Sequence, residues 1–276
     1  MSSVTPVIVG VDGSQSSVEA AYIAADEAAA RDVTLILVHV GPADDWVFES
    51  AVRRVRRWHP DIELSTHHYV DLTAGPAQAL AAKAAEADAC LLVVGHRRPS
   101  AGHGVVPRSV AQRLLDCATV PVLVNRAVDL TCCVPEPRPV LVGVGPHGSP
   151  DAVMEFGWSE ALRWGAPLNV LCAVPDYPSD DAAGRPDPEV VESVQRWFDR
   201  DPDVSGRLHV RHGIDPAIAL MVDSHTAQLV VVGSSSHRTA AASVAHALVH
   251  RAACPVAVVP TMVHSGRYLE PSAQAV

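Results

Sequence analysis

The sequence predicts an α/β fold in duplicate, two doubly wound domains that each carry a five-stranded parallel sheet with helices on both faces. Three observations lead there. The chain repeats itself: Pro6-Val7-Ile8-Val9-Gly10-Val11-Asp12 returns as Pro139-Val140-Leu141-Val142-Gly143-Val144-Gly145, and Leu91-Leu92-Val93-Val94-Gly95 as Leu229-Val230-Val231-Val232-Gly233. Pro76-Ala77-Gln78-Ala79-Leu80 likewise returns as Pro216-Ala217-Ile218-Ala219-Leu220, and Ser109-Val110-Ala111 as Ser243-Val244-Ala245, all in the same order at offsets of 133 to 140 residues. Second, the apolar runs are short and continuous, as in strands buried on both faces. Third, they alternate with segments of helical spacing, the pattern of a parallel sheet.

In the first copy, Val7 to Val11 is such a run, bounded by Pro6 and Asp12. Ser16-Ser17-Val18-Glu19 reads as a capping box that opens an Ala-rich helix. Thr34 to Val40 is the second strand. A more polar stretch starts at Gly41 and holds Arg53, Arg54, Arg56 and Arg57 before Trp58, on a helix or loop. These arginines read as a solvated face, with a partner-docking patch as the alternative. Ile62 to Tyr69 alternates as a third strand, Pro76 to Glu86 is a helix, Leu91 to Val94 a strand, Ser109 to Cys117 a helix, and Val122 to Asn125 the last strand.

The second copy predicts strands at 140–144, 168–174, 207–212, 229–232 and 256–259. Its helices are expected from Ser149, with Pro150 in the first turn, and at 216–224 and 243–251. The domains are bounded at 1–126 and 139–262. A linker, 127–138, carries Pro135, Pro137, Cys132 and Cys133; residues 176–189 form a loop, and 263–276 a disordered tail.

Composition removes several classes. No window approaches twenty apolar residues, so no membrane span is expected, and no secretory leader precedes Val7, so cytoplasmic residence is the default. A formal charge of −10 argues against a general nucleic-acid binder. The six cysteines include no Cys-x-x-Cys pair and read mostly as small buried hydrophobes. His246, His250 and Cys254 fall at helical spacing, but no carboxylate joins them, so no structural zinc is expected. His67 and His68 point to opposite faces of a strand. No Gly-x-Ser-x-Gly, Walker loop or paired carboxylates are present, so no catalytic constellation is expected.

Ligands of open parallel sheets bind beyond the carboxyl ends of the strands where the winding reverses. Asp12 and Gly95 end the first and fourth strands, so a fold that makes these strands neighbours brings both to one crevice. Here the chain resembles a tandem universal stress protein, of a family with a flavodoxin-like fold, and the resemblance covers nearly the whole chain. ATP-binding members carry an aspartate after the first strand, and after the fourth Gly-x-x-Gly, nine residues, then Gly-Ser or Gly-Thr. The resemblance implies that this loop holds ribose and phosphates and that the end of the second strand helps hold adenine. The first copy matches at Asp12, Val40, Gly95 and Ser109, with Gly10 and Val110 beside them, and departs at Arg98 and Arg108, where the family has glycine.

Glycine lets a phosphate approach bare backbone, and a non-glycine residue in the left-handed region costs roughly 1–2 kcal/mol. Guanidinium groups also suit phosphate oxygens, and a helix opening at Ser109 favours an anion. The second copy departs further: Gly145 stands where Asp12 stood, and Gly233 to Pro255 spans four residues fewer than Gly95 to Pro121. The expectation is a non-enzymatic, nucleotide-responsive regulatory protein that binds ATP or a similar adenine nucleotide in the first copy only and is read by an unidentified protein partner. The alternative is an interaction scaffold in which both sites have degenerated. An adenylyl-transferring ligase would need a Ser-Gly-Gly-x-Asp-Ser type loop, which Gly13-Ser14-Gln15-Ser16-Ser17 is not. The last strand of each copy is apolar on both faces and would leave a bare edge. The resemblance supports antiparallel pairing of the two as an intrachain pseudo-dimer, with a homodimer of chains as a further option.

Overall fold

The computed structural model describes residues 5–42, 45–70, 75–96, 109–126, 137–174, 185–200, 204–234 and 240–261. The first copy runs β1 (Val7–Gly10), α1 (Gln15–Arg31), β2 (Leu35–Val40), α2 (Asp45–Trp58), β3 (Leu64–Tyr69), α3 (Gly75–Glu86), β4 (Leu91–Gly95), α4 (Val110–Cys117) and β5 (Val122–Asn125). The second runs β6 (Val140–Val144), α5 (Asp151–Trp164), β7 (Leu168–Val174), α6 (Pro188–Arg200), β8 (Gly206–His212), α7 (Pro216–Asp223), β9 (Leu229–Ser234), α8 (Ala240–Arg251) and β10 (Val256–Pro260). Every predicted strand is present. Helix α2 resolves the arginine stretch, expected as a helix or loop, in favour of a helix, and α6 lies where the sequence pattern predicts none. The linker centre with Cys132 and Cys133, most of the 176–189 loop and the tail lie outside the described residues.

Each copy orders its strands 3-2-1-4-5 in its own count, and the two halves join into one ten-stranded sheet, β3-β2-β1-β4-β5-β10-β9-β6-β7-β8. All pairings are parallel except the seam, where β5 and β10 run antiparallel with Val256 opposite Val124, Ala257 opposite Leu123 and Val258 opposite Val122. These six side chains are buried. The apolar edge expected of each copy is therefore covered by the other, and the copies form an intrachain pseudo-dimer.

Alternation along each strand feeds two cores. Val7 and Val9 of β1 face one, under α1, α2, α5 and α6, and Ile8 faces the other, under α3, α4, α7 and α8. Helix α1 turns Ala20, Ala21, Ala24, Ala25 and Ala28 inward, none with any exposure. Such short side chains let the helix lie close on the sheet.

Two further contacts tie the halves. Arg126 donates to the Val249 carbonyl at 2.6 Å, and His246 of α8 pairs with Asp116 of α4 at 3.4 Å. On the opposite face, α1 and α5 share a buried ring of four charges. Arg31 pairs with Glu27 and, at 2.6 Å, with Glu160; Arg163 donates to Glu27 at 3.1 Å and to Glu160 at 2.7 Å. The glutamate side chains are 3% and 1% exposed, the arginines 15% and 18%. Burial, reinforced by the Glu27 carboxylate, pushes the Glu160 carboxyl up to about 7 against the pull of Arg31 and Arg163. No helix among the described residues is long and apolar enough to cross a membrane.

Candidate functional site

Helix, strand and turn converge at the carboxyl ends of β1 and β4. These strands pair directly, with Val9 opposite Val93, while β2 and β3 extend to one side and β5 to the other. The winding therefore reverses between β1 and β4, where an open parallel sheet leaves its crevice. Val11 is buried and Asp12 exposed at its mouth.

Asp12 opens a tight turn. Its Oδ1 accepts from the Ser14 amide at 3.0 Å and the Ser14 hydroxyl at 2.5 Å, and its own amide donates to Ser17 Oγ at 3.2 Å. Gly13 sits at φ 77°, a conformation that favours glycine. Ser14 then caps α1 by accepting from the Ser17 amide. The cap is thus two residues earlier than the box expected at Ser16, because the Asp12 turn already aligns the first amides. Glu19 instead accepts from Gln15 Nε2 at 2.9 Å.

Gly95 answers to packing. A Cβ there would lie 2.5 Å from the Ser16 carbonyl oxygen, so the first turn of α1 rests on the end of β4. Gly10 likewise faces Leu80, whose Cδ1 would be 2.9 Å from a Cβ. Asp12, Gly95 and the start of α1 are thereby brought together. Ser109 caps α4 in a reciprocal box with Gln112: its Oγ accepts from the Gln112 amide at 3.2 Å, and its amide donates to Gln112 Oε1 at 3.1 Å. Val110 begins α4 and is 36% exposed. Arg98 and Arg108 lie outside the described residues.

Beside Val40, at the end of β2, the structure adds His39, Phe48 and Trp46, which no sequence motif marks, and gives His68 a place. His39 is buried and spans two loops, with Nδ1 2.8 Å from the Val11 carbonyl and Nε2 3.1 Å from the Pro42 carbonyl. The neutral ring can donate to one of these and the imidazolium to both. His68 stacks on it at 5.4 Å and 13°, and reaches the Gly41 carbonyl at 2.9 Å. Phe48 of α2 stands edge-on to both rings, at 6.1 and 6.4 Å. Trp46 lies against Gly13, its indole carbons occupying the space a Cβ would need. The available signal is the spacing of Val47, Ala51 and Val55, all buried, which marks α2 as a helix with one face on the core.

The second crevice, at β6 and β9, is built differently. Asp187, just before α6, donates its amide to the Pro146 carbonyl at 2.8 Å and sets its carboxylate 3.0 Å from His147 Nδ1. The acid missing at Gly145 is thus replaced by one from another element that already engages the turn. Ser243, expected to open the last helix as Ser109 opens α4, falls inside α8.

The remaining candidates have local partners. Arg56 donates to the Pro60 and Ile62 carbonyls, both at 2.7 Å, Arg54 lies 5.3 Å over Tyr22 and Arg57 5.8 Å over Trp58. His250 is exposed and meets His96 at 6.3 Å, His246 pairs with Asp116 across the seam, and Cys254 is buried. Among the described residues no three metal-ligating side chains cluster.

The model of the universal stress protein family matches residues 4–126 and again 136–260. A universal stress protein of Mycobacterium tuberculosis is 31% identical over 259 residues, covering 83% of this chain and 86% of the relative. One of Mycobacterium bovis is 31% identical over 293 residues, covering 91% and 96%. In fold, a universal stress protein from Archaeoglobus fulgidus aligns with TM-score 0.61 at 17% identity, over 92% of this chain and 96% of that one. The duplicated 3-2-1-4-5 sheet, the turn at Asp12 and these matches lead to one conclusion: the chain belongs to the universal stress protein family and carries two of its domains in tandem.

Proposed function

We propose that the protein is a non-catalytic, nucleotide-responsive regulator whose first domain binds ATP or a similar adenine nucleotide, and that occupancy changes a surface read by a protein partner. The observation that carries this reading is the difference between the two crevices. In the first, an exposed aspartate stands at the winding reversal and Ser109 caps the start of α4; in the second, Asp187 bridges Pro146 and His147 and Ser243 falls inside α8. Asp12 is assigned to the nucleoside side, where a carboxylate accepts a ribose or amino hydrogen bond. The Ser109 end of α4 is assigned to the phosphates, with Arg98 or Arg108 supplying charge where relatives use glycine backbone.

A second reading has its own support. The Asp12 carboxylate already accepts twice from Ser14, a sufficient structural task for the residue, and this favours a scaffold that binds no nucleotide. Calorimetry with ATP separates the two. One site per chain is expected, weakened about tenfold to a hundredfold in Asp12→Ala, since a charge-assisted hydrogen bond contributes about 1.5–3 kcal/mol. Gly145→Asp should add no second site. Two sites, or binding indifferent to Asp12, sinks the asymmetric assignment, and no binding at millimolar ATP favours the scaffold.

A further inference from the structure

We propose that Trp46 is the base-stacking wall of the first crevice and takes the purine face of a nucleotide whose ribose lies at Asp12; this rests on the nucleotide-binding reading above. The placement is specific. The indole lies across Gly13, the residue after Asp12, and so covers the turn at the end of β1; its helix, α2, follows β2, which ends at Val40. It remains 55% exposed, leaving aromatic surface open to a ligand.

Its helix is anchored. Val47 is buried, and Phe48 stands edge-on to the His39–His68 stack, which is itself tied to the Val11, Pro42 and Gly41 carbonyls. The start of α2 is therefore fixed against the loops that end β1 and β2, and the ring is presented in place before any ligand arrives. Such preorganisation limits the ordering cost of binding.

The other tryptophans have different surroundings. Trp158, Trp164 and Trp197 pack in or against the core, and Trp58 meets Tyr22 at 6.3 Å. The second copy offers a control: its turn also carries a left-handed glycine, Gly148 at φ 81°, but a Cβ there would meet nothing within 4 Å among the described residues. The first turn of α6, Pro188-Glu189-Val190-Val191, holds no aromatic residue. Among the described residues, the aromatic cover belongs to the copy that keeps the exposed aspartate.

Stacking on an aromatic ring depends on its π face, so apolar cover and aromatic cover can be separated. The test is titration of the full chain with ATP, followed by tryptophan fluorescence and calorimetry together. ATP should quench the wild type; Trp46→Phe should lose that quenching and keep affinity within about threefold. Trp46→Ala and Trp46→Leu should each bind about fivefold to a hundredfold more weakly, Leu serving to cover Gly13 without a π face. ATP binding by Trp46→Leu at wild-type strength overturns the stacking role and leaves the nucleotide reading standing. No ATP binding by the wild type overturns both.

Discussion

Removing Arg31 tests the buried ring that joins α1 to α5. In Arg31→Met the aliphatic volume is kept, but two carboxylates, 3% and 1% exposed, are left facing Arg163 alone. Breaking a buried pair by deleting one partner costs about 3–5 kcal/mol. The partial exposure of the arginines, 15% and 18%, places the expected loss near the lower end, about 3 kcal/mol at pH 8. The pH dependence follows from Glu160, whose carboxyl is raised from 4.5 to about 7 in the fold. A raised carboxyl contributes stability that is full below its unfolded value and is lost as pH rises through the folded one. Loss of a neighbouring cation raises it further, so protonation compensates for the missing guanidinium and the deficit should shrink between pH 8 and pH 5.5. Urea denaturation followed by far-ultraviolet circular dichroism at both pH values reads this directly. Arg53→Met, in an exposed pair with Glu49 at 4.0 Å, should change stability by no more than about 0.5 kcal/mol. A deficit below about 1 kcal/mol for Arg31→Met at pH 8, or one equal at both pH values, would refute the reasoning.

Gly95→Ala should destabilise by about 1–3 kcal/mol in urea, because its Cβ would meet the Ser16 carbonyl oxygen at 2.5 Å and the Ser17 amide at 3.0 Å, both backbone atoms. Wild-type stability in that variant would show the α1–β4 contact to be slack. Iodoacetamide at pH 8 on the native protein should modify exposed Cys117 and spare Cys172 and Cys254, which are buried with thiols pushed up to about 11 and about 12 by that burial. Peptide mass spectrometry locates the label, and rapid modification of Cys254 would contradict the closed seam beside β10.

Much of the architecture was written locally. Runs such as Val7–Val11 and Leu91–Val94 declare strands because every residue must be apolar when both faces of the sheet are covered. Pairing of β5 with β10 was also legible, since two strands apolar on both faces leave edges that need cover. Helices α2 and α6 were harder to see. Val47, Ala51 and Val55 in one, and Val190 and Val194 in the other, give helical spacing, but arginines, acids and turn residues around them diluted the signal.

By itself the sequence determined the duplication, the strand order and the candidacy of Asp12 and Gly95, and the family resemblance added Val40 and Ser109. Only the tertiary structure decided that Ser14 caps α1, that Asp187 enters the second turn, and that Trp46 covers Gly13. It alone placed the ring of Glu27, Arg31, Glu160 and Arg163 between the halves. The physical reason is range: apolar periodicity is set by the face a residue turns to its own sheet, within a few positions of chain. A buried charge or an exposed indole takes its meaning from a partner on another element, and that partner is chosen by how the helices pack.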